Sequence, residues 1–458
     1  MRKSKIPETG IYDARQLGTG RMLLLGFQHM FAMFGATILV PILTGLDVSN
    51  TLLFAGLGTL LFHLITGGKV PAFLGSSFAF LGGYATIAPM LGEQQNQPNL
   101  EMLPYACFGV ACAGLVYVIL AALFKAFGAK KVMRFFPPIV TGPIIIAIGL
   151  NLSSSAINNC TGNWWIAIAA ILIIVAANIW GKGMIKIIPI LLGVIGSYAL
   201  AVIFDANTRA TLVANVSEAK WFALPIKMEQ TVFGLFASGN ADPHKLLTAV
   251  ITIVPLSLAT MVEHIGDMSA ISSTCNRNYI EDPGLHRTLM GDGLATAIAS
   301  LFGAPANTTY GENTGVLALT KVYDPRVIRL AAVFAILASF CPKFSALIGA
   351  MPTGTIGGVS LILYGMISAI GVRNLVENQV DLSKSRNVIV VSLIMSLALG
   401  IAFSNAGAIS FSIGSITLRF SGLAVAAVVG IVINAILPGK DYAFQGDYSN
   451  GKLEKKRA

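Results

Sequence analysis

Apolar runs separated by short polar stretches fill the chain from Met22 to Leu437, and runs of this length with little charge predict membrane-spanning helices. Seven are expected in the first half: Met22 to Leu46, Thr51 to Thr66, a broken one from Pro71 to Leu91, Pro104 to Phe127, Pro137 to Leu152, Trp164 to Trp180 and Ile185 to Phe204. A polar segment from Asp205 to Lys245 separates these from seven more: Leu246 to Ala270, Leu289 to Gly303, a broken one from Tyr310 to Thr320, Arg329 to Ala350, Pro352 to Ile370, Val388 to Phe403 and Ile416 to Leu437. An odd number of spans per half makes the halves enter the membrane from opposite sides. The third span of each half is broken in the same way: Pro71 precedes Gly75, Ser76 and Ser77, and Pro305 precedes Asn307, Thr308, Thr309, Tyr310 and Gly311. Matched interruptions of this kind point to an inverted repeat with a binding site near the midplane.

Composition agrees with the pattern. Hydrophobic residues make up 55% of the 458 and charged residues only 11%, which a soluble core does not explain. The polar start of the chain lacks the order of a cleaved signal peptide, so the first span is expected to insert it. Five cysteines without CxxC or Cys/His spacing suggest neither a disulfide framework nor a metal site. A net charge of +10 would suggest nucleic acid in a soluble protein, but here it tracks the loops. If the termini and the loops after even-numbered spans share one side, the other side holds only Arg209, Lys220, Lys227, Lys245, Lys343 and Arg419 of the 31 basic residues. The positive-inside bias then places both termini in the cytoplasm.

The candidate chemistry lies in intramembrane acids. Glu312 interrupts an apolar stretch just after backbone expected to be extended, where a half-helix starting near Gly311 would aim unpaired N–H groups into a cavity. Glu263 and Asp267 are four apart at the end of the eighth span and share a helix face, with His264 turned aside. Two acids on one face repel unless one binds a proton, a cation or an N–H-rich ligand, or unless Asp267 reaches water at the interface. Glu263 lies deeper. His29 suits a bridge between helices better than a ligand contact, and Phe78 reads either as packing or as a stacking surface for a flat ring.

These residues carry a family resemblance. Glu312-Asn313-Thr314-Gly315, four further residues and Thr320 resemble the signature of the nucleobase–ascorbate transporter family, and Gln28-His29 is similar to its first-span pair. GSSFAF at Gly75 to Phe80, EHIG at Glu263 to Gly266, DPGLHR at Asp282 to Arg287 and NTTYGEN at Asn307 to Asn313 resemble bacterial uracil permeases within it. The likeness covers all but the ends and the Asp205 to Lys245 segment. It implies an all-α polytopic membrane protein of 14 transmembrane segments in two inverted seven-span repeats, with short strands before the broken third and tenth helices. The implied organisation is a cytoplasmic N-terminus (1–21), core domain (22–135 and 246–350), gate domain (136–205 and 351–438), extracytoplasmic linker (206–245) and cytoplasmic tail (439–458).

The implied function is uracil import by proton symport in a bacterial inner membrane. Glu263 and Glu312 would bind the base, Phe78 would stack on it, Gly311 and Ser77 would contact it through backbone, and Tyr310 would sit beside the ring. Glu263 and Asp267 would carry the coupling proton, while His29 and Asn313 would support the site. No cofactor other than the proton is expected, and the resemblance also raises a homodimer. Asp267 departs from the pattern: uracil permeases tend to carry His there, and the E-x-x-G-D form resembles purine-type members, which makes xanthine the runner-up substrate. A channel would need a continuous polar pore, an enzyme would need a nucleophile or metal constellation, and an anion transporter would be discouraged by the acids.

Overall fold

Two three-residue strands, β1 (Leu74–Ser76) and β2 (Asn307–Thr309), pair antiparallel at a fully buried position, with Leu74 opposite Thr309 and Ser76 opposite Asn307. The computed structural model describes residues 10–91, 97–128, 132–239, 241–413 and 416–439, which form a mostly helical chain. Ser, Asn and Thr compete poorly for helix, and a proline precedes each strand, so the backbone leaves helical form here. A two-stranded pair leaves unpaired edge groups, which cannot stay unsatisfied at membrane depth. Side chains from the surrounding helices supply partners to the strand backbone: Leu74 N–H donates to Thr59 Oγ1 at 2.9 Å, and Thr296 Oγ1 donates to the Asn307 carbonyl at 2.9 Å. The Asn307 side chain in turn ties β2 to α2, its Nδ2 donating to the Phe54 carbonyl at 3.0 Å. Gly75 is required by space: a Cβ there would run into the Tyr310 ring and lie 2.7 Å from Thr37 Oγ1.

Of the described helices longer than six residues, the first eight are α1 (Thr19–Thr44), α2 (Val48–Ile65), α3 (Leu81–Ile87), α4 (Leu103–Phe127), α5 (Pro138–Thr161), α6 (Trp164–Ile179), α7 (Pro189–Phe204) and α8 (Ala206–Glu218). The later ones are α9 (Pro243–Ile253), α10 (Ser257–Cys275), α11 (Leu285–Leu301), α12 (Gly311–Thr320), α13 (Pro325–Ser339), α14 (Pro342–Gly349), α15 (Thr353–Glu377), α16 (Ser385–Ala402) and α17 (Gly422–Ile436). Packing sorts them into two groups. In one, α2 packs on α11 and α13, α1 on α13, and α4 on α9 and α11; in the other, α5 packs on α15 and α16, α6 on α7 and α15, and α16 on α17. The α4–α11 crossing brings backbones together, since a Cβ on Gly114 would lie 2.7 Å from the Gly293 carbonyl.

Six of the described helices, α1, α2, α4, α5, α15 and α16, are individually long and apolar enough to cross a membrane. Two bent pairs, α7 with α8 (109°) and α13 with α14 (86°), raise the number to eight if each pair counts as one span. Other expected spans are shorter, and some are interrupted. The expected single run from Leu246 to Ala270 is two helices, α9 and α10, joined by a 3-10 turn at Val254–Leu256, because Pro255 cannot donate the helical hydrogen bond. Ile416 to Leu437 is likewise not one helix: β4 (Ile416–Ser421) pairs antiparallel with β3 (Ala408–Ile413), and only then does α17 begin. Alternation of Ile416, Leu418 and Phe420 with polar residues is the strand period that the apolar run conceals. The fold is therefore not purely helical outside the two central strands. The polar segment from 206 to 245 also carries structure, α8 and a short helix at Val232–Ala237. The basic tail with Lys455, Lys456 and Arg457 lies outside the described residues.

Contacts among the helix ends fall into two sets. Lys227 pairs with Asp47 at 2.9 Å, Lys245 with Glu101 at 2.8 Å, and Lys343 Nζ donates to the Val216 carbonyl at 2.6 Å. In the other set, Lys69 pairs with Asp282 at 2.5 Å and Arg326 with Asp13 at 2.9 Å. Each contact joins segments that the charge asymmetry assigns to the same side.

Candidate functional site

The strand pair holds the residues at its C-terminal ends. Tyr310 N–H donates to the Phe73 carbonyl at 3.1 Å, its hydroxyl donates to the Ser76 carbonyl at 2.9 Å, and Ser77 N–H donates to the Ala306 carbonyl at 2.8 Å. Tyr310 and Ser77 are thus held from both strands and are buried. Immediately after Tyr310 the chain turns into α12, with Gly311, Glu312 and Asn313 as its first residues. The N–H groups of this first turn have no partner within the helix, and together with the helix dipole they favour an acceptor or a negative charge there. No atom would lie within 4 Å of a Cβ on Gly311, which leaves its face open.

Three half-buried acids lie on the two helices that pack together here: Glu263 and Asp267 on α10, and Glu312 in the first turn of α12. Thr309 Oγ1 donates to Asp267 Oδ2 at 2.9 Å, so Asp267 faces β2. This joins α10 to the central strands. Behind the acids, buried Asn313 Nδ2 donates to the His29 carbonyl and lies 3.1 Å from His29 Nδ1, which ties α12 to α1. Phe78 is buried after β1 and meets Tyr364 of α15 edge-on, with ring centroids 5.9 Å apart at 77°. That contact links the strand region to the second helix group.

Sequence reasoning does not single out Asp292 and Tyr364. Asp292 on α11 is fully buried, with Oδ2 2.9 Å from Nδ1 of the fully buried His264, directly behind Glu263. The rule that flags Glu312 applies equally to an acid in the apolar ninth span, so the signal is present in the sequence. Tyr364 carries no such signal, because an aromatic residue in an apolar span is ordinary. Among the described residues no group of three or more His, Cys, Asp or Glu side chains could hold a metal ion. The elements beside the paired strands carry carboxylates, first-turn backbone N–H groups and aromatic rings, which suit a small planar molecule bearing both donors and acceptors.

The permease family matches residues 20–407 of the chain. The uracil permease of Bacillus caldolyticus is 39% identical over 447 residues, covering 95% of this chain and 96% of that one. Those of Bacillus subtilis (39% over 425 residues; 90% and 91% covered) and Escherichia coli K12 (36% over 423 residues; 90% of each) are also similar. Among solved structures, the transmembrane domain of a cyanobacterium bicarbonate transporter aligns with a TM-score of 0.58 at 12% identity, over 94% of this chain and all of that one. Murine solute carrier 26 family member A9, an anion transporter in the inward-facing state, aligns with a TM-score of 0.62 at 11% identity, over 94% and 69%. These two share the fold.

Proposed function

The chain belongs to the nucleobase–ascorbate transporter family of permeases, a multi-pass membrane protein and not an enzyme, and from that premise we propose that it imports uracil by proton symport. The observation that carries this reading is that α10, with Glu263 and Asp267, packs on α12, whose first turn carries Glu312, with Asp267 hydrogen-bonded to the paired strands. Uracil presents two N–H donors and two carbonyl acceptors on a flat ring. Glu263 and Glu312 accept its N–H groups, the backbone at Gly311 and Ser77 contacts it, Phe78 stacks on it and Tyr310 flanks it.

Three neighbouring acids out of bulk water also explain the driving ion. Closing the cavity around charged carboxylates is costly, and a proton on Glu263 removes that cost. The proton and the base are released together when the site opens to the cytoplasm and water returns, with Asp267 as the next acceptor.

Alternating access then amounts to rocking one helix group against the other. Residues 22–135 and 246–350 form the core domain that carries the site, and 136–205 with 351–438 form the gate domain. The packing groups and the Phe78–Tyr364 contact between them support this division. The full reading is 14 segments in two inverted repeats, in a bacterial inner membrane with both termini in the cytoplasm; the two sets of end contacts support the grouping of segments on each side, and the charge asymmetry supports the cytoplasmic assignment. A xanthine-type purine is the second reading, favoured by Asp267 in place of His.

Uptake of labelled uracil into sealed vesicles tests the proposal. A proton gradient is expected to drive accumulation, a protonophore to abolish it, and excess unlabelled uracil to compete better than xanthine. Uptake that needs sodium and ignores the protonophore would overturn the coupling, and preferential competition by xanthine would overturn the substrate.

A further inference from the structure

The segment before α1 does not run free to the membrane. It lies across the ends of the two helices that bring the acids to the site. Ile11 N–H donates to the Lys321 carbonyl at 2.7 Å, and Tyr323 N–H donates to the Ile11 carbonyl at 2.8 Å, a parallel bridge to the residues just beyond α12. Tyr12 reaches the other way, its hydroxyl donating to the Cys275 carbonyl at 2.6 Å, at the last residue of α10. Its ring lies 4.2 Å from the Arg277 guanidinium and 5.4 Å from the Tyr323 ring. Asp13 pairs with Arg326 at 2.9 Å, and Ala14 N–H donates to Asp324 Oδ2 at 2.7 Å, where Asp324 caps α13. Beneath these contacts Ile11, Ala14, Val322 and Val327 form a small buried apolar cluster of their own.

The placement matters because α12 has only ten residues. A helix this short has little stability by itself, so its position depends on what holds its ends. One end is fixed by the strand pair and by Asn313 on His29. The other end, Lys321, is fixed by Ile11, and the next residue of the same segment, Tyr12, holds the end of α10. The geometry points to residues 10–14 as a clasp that positions α12 against α10, and so sets the separation of Glu312 from Glu263 and Asp267 on which ligand affinity depends. These are positioning residues, since none touches the site. The clasp is also charged at neutral pH: hydrogen bonding from Arg15 in the first place, with the charge of Arg326, holds the Asp13 carboxyl down to about 2. The effect on ligand rests on the substrate proposed above, whereas the effect on the helix ends does not.

Two substitutions probe the clasp. Tyr12→Phe keeps the ring on Arg277 and Tyr323 and loses only the bond to Cys275. Ala14→Pro is compatible with the backbone, since it stands at the first position of a helical turn after an extended Asp13, but it removes the N–H given to Asp324 and sets a ring carbon against that carboxylate, which opens the clasp at this end. The full-length protein is compared with each variant by amide hydrogen exchange of segments 317–323 and 272–277, by uracil binding, and by the separate KM and kcat of uptake. Each variant is expected to exchange faster in both segments, and uracil Kd and KM are expected to rise about fivefold, equivalent to one lost hydrogen bond, with kcat less affected. Tyr12→Trp, which restores an N–H donor on an aromatic ring, is expected to recover part of the affinity lost in Tyr12→Phe. Unchanged exchange in the two segments overturns the clasp. Faster exchange with unchanged Kd overturns its positioning role and leaves a local anchor. If the unaltered protein binds no uracil, the substrate assignment falls, while the exchange still decides whether the clasp holds the helix ends.

Discussion

Thr309 Oγ1 donates to Asp267 Oδ2 across 2.9 Å, and this bond turns the second acid of α10 toward the central strands. Spacing alone leaves Asp267 equally suited to the membrane interface. Thr309→Val keeps the β-branched shape and removes the donor, so a half-buried carboxylate loses a partner. Under the proposed function, transport by Thr309→Val and by Asp267→Asn is expected to slow with less effect on uracil binding. Kinetics and equilibrium binding on the same reconstituted preparations check this; an equal loss in both would make Asp267 a binding residue.

Glu312 stands in the first turn of a helix beside a glycine whose face is open. Glu312→Gln keeps the size but replaces one acceptor with a donor. Loss of a charge-assisted hydrogen bond worth about 1.5 to 3 kcal/mol is expected to weaken uracil binding by roughly ten- to a hundredfold. Equilibrium binding to the folded variant measures it, and unchanged affinity would remove Glu312 from the site.

Glu263→Gln permanently mimics the neutral acid. It is expected to retain uracil binding and to lose proton-driven accumulation, because the residue can no longer take up and release a proton. Tracking uracil accumulation together with uracil-dependent internal acidification of proteoliposomes decides it. Full activity in both would move the coupling to Glu312 or Asp267.

Asp292 and His264 are buried together behind Glu263. Removing one member leaves the other polar group buried without its partner. Asp292→Ala is expected to cost about 1 to 3 kcal/mol of stability. A large fall in the unfolding midpoint is the measurement, and an unchanged midpoint would show that the pair contributes little to folding.

Much of this protein is dictated by local rules acting on the sequence. Long uncharged apolar runs have one stable solution in a bilayer, which is why α1, α2 and α4 fall close to where hydrophobicity alone puts them. Proline, glycine and hydroxyl residues at 71–77 and 305–311 disfavour helix locally, so the two breaks are also legible, and an acid in an apolar span stands out wherever it falls. Every relation between distant segments, by contrast, is decided by the folded structure. An apolar run does not reveal whether Val254–Leu256 bends or whether Ile416–Ser421 finds a strand partner, because hydropathy is blind to the hydrogen bond that the backbone finally makes. Nor does spacing within one helix say what faces it. Asp267 meets Thr309, Asn313 meets His29 and Tyr12 meets Cys275 across as many as 284 residues of chain, and only tertiary packing brings these partners together.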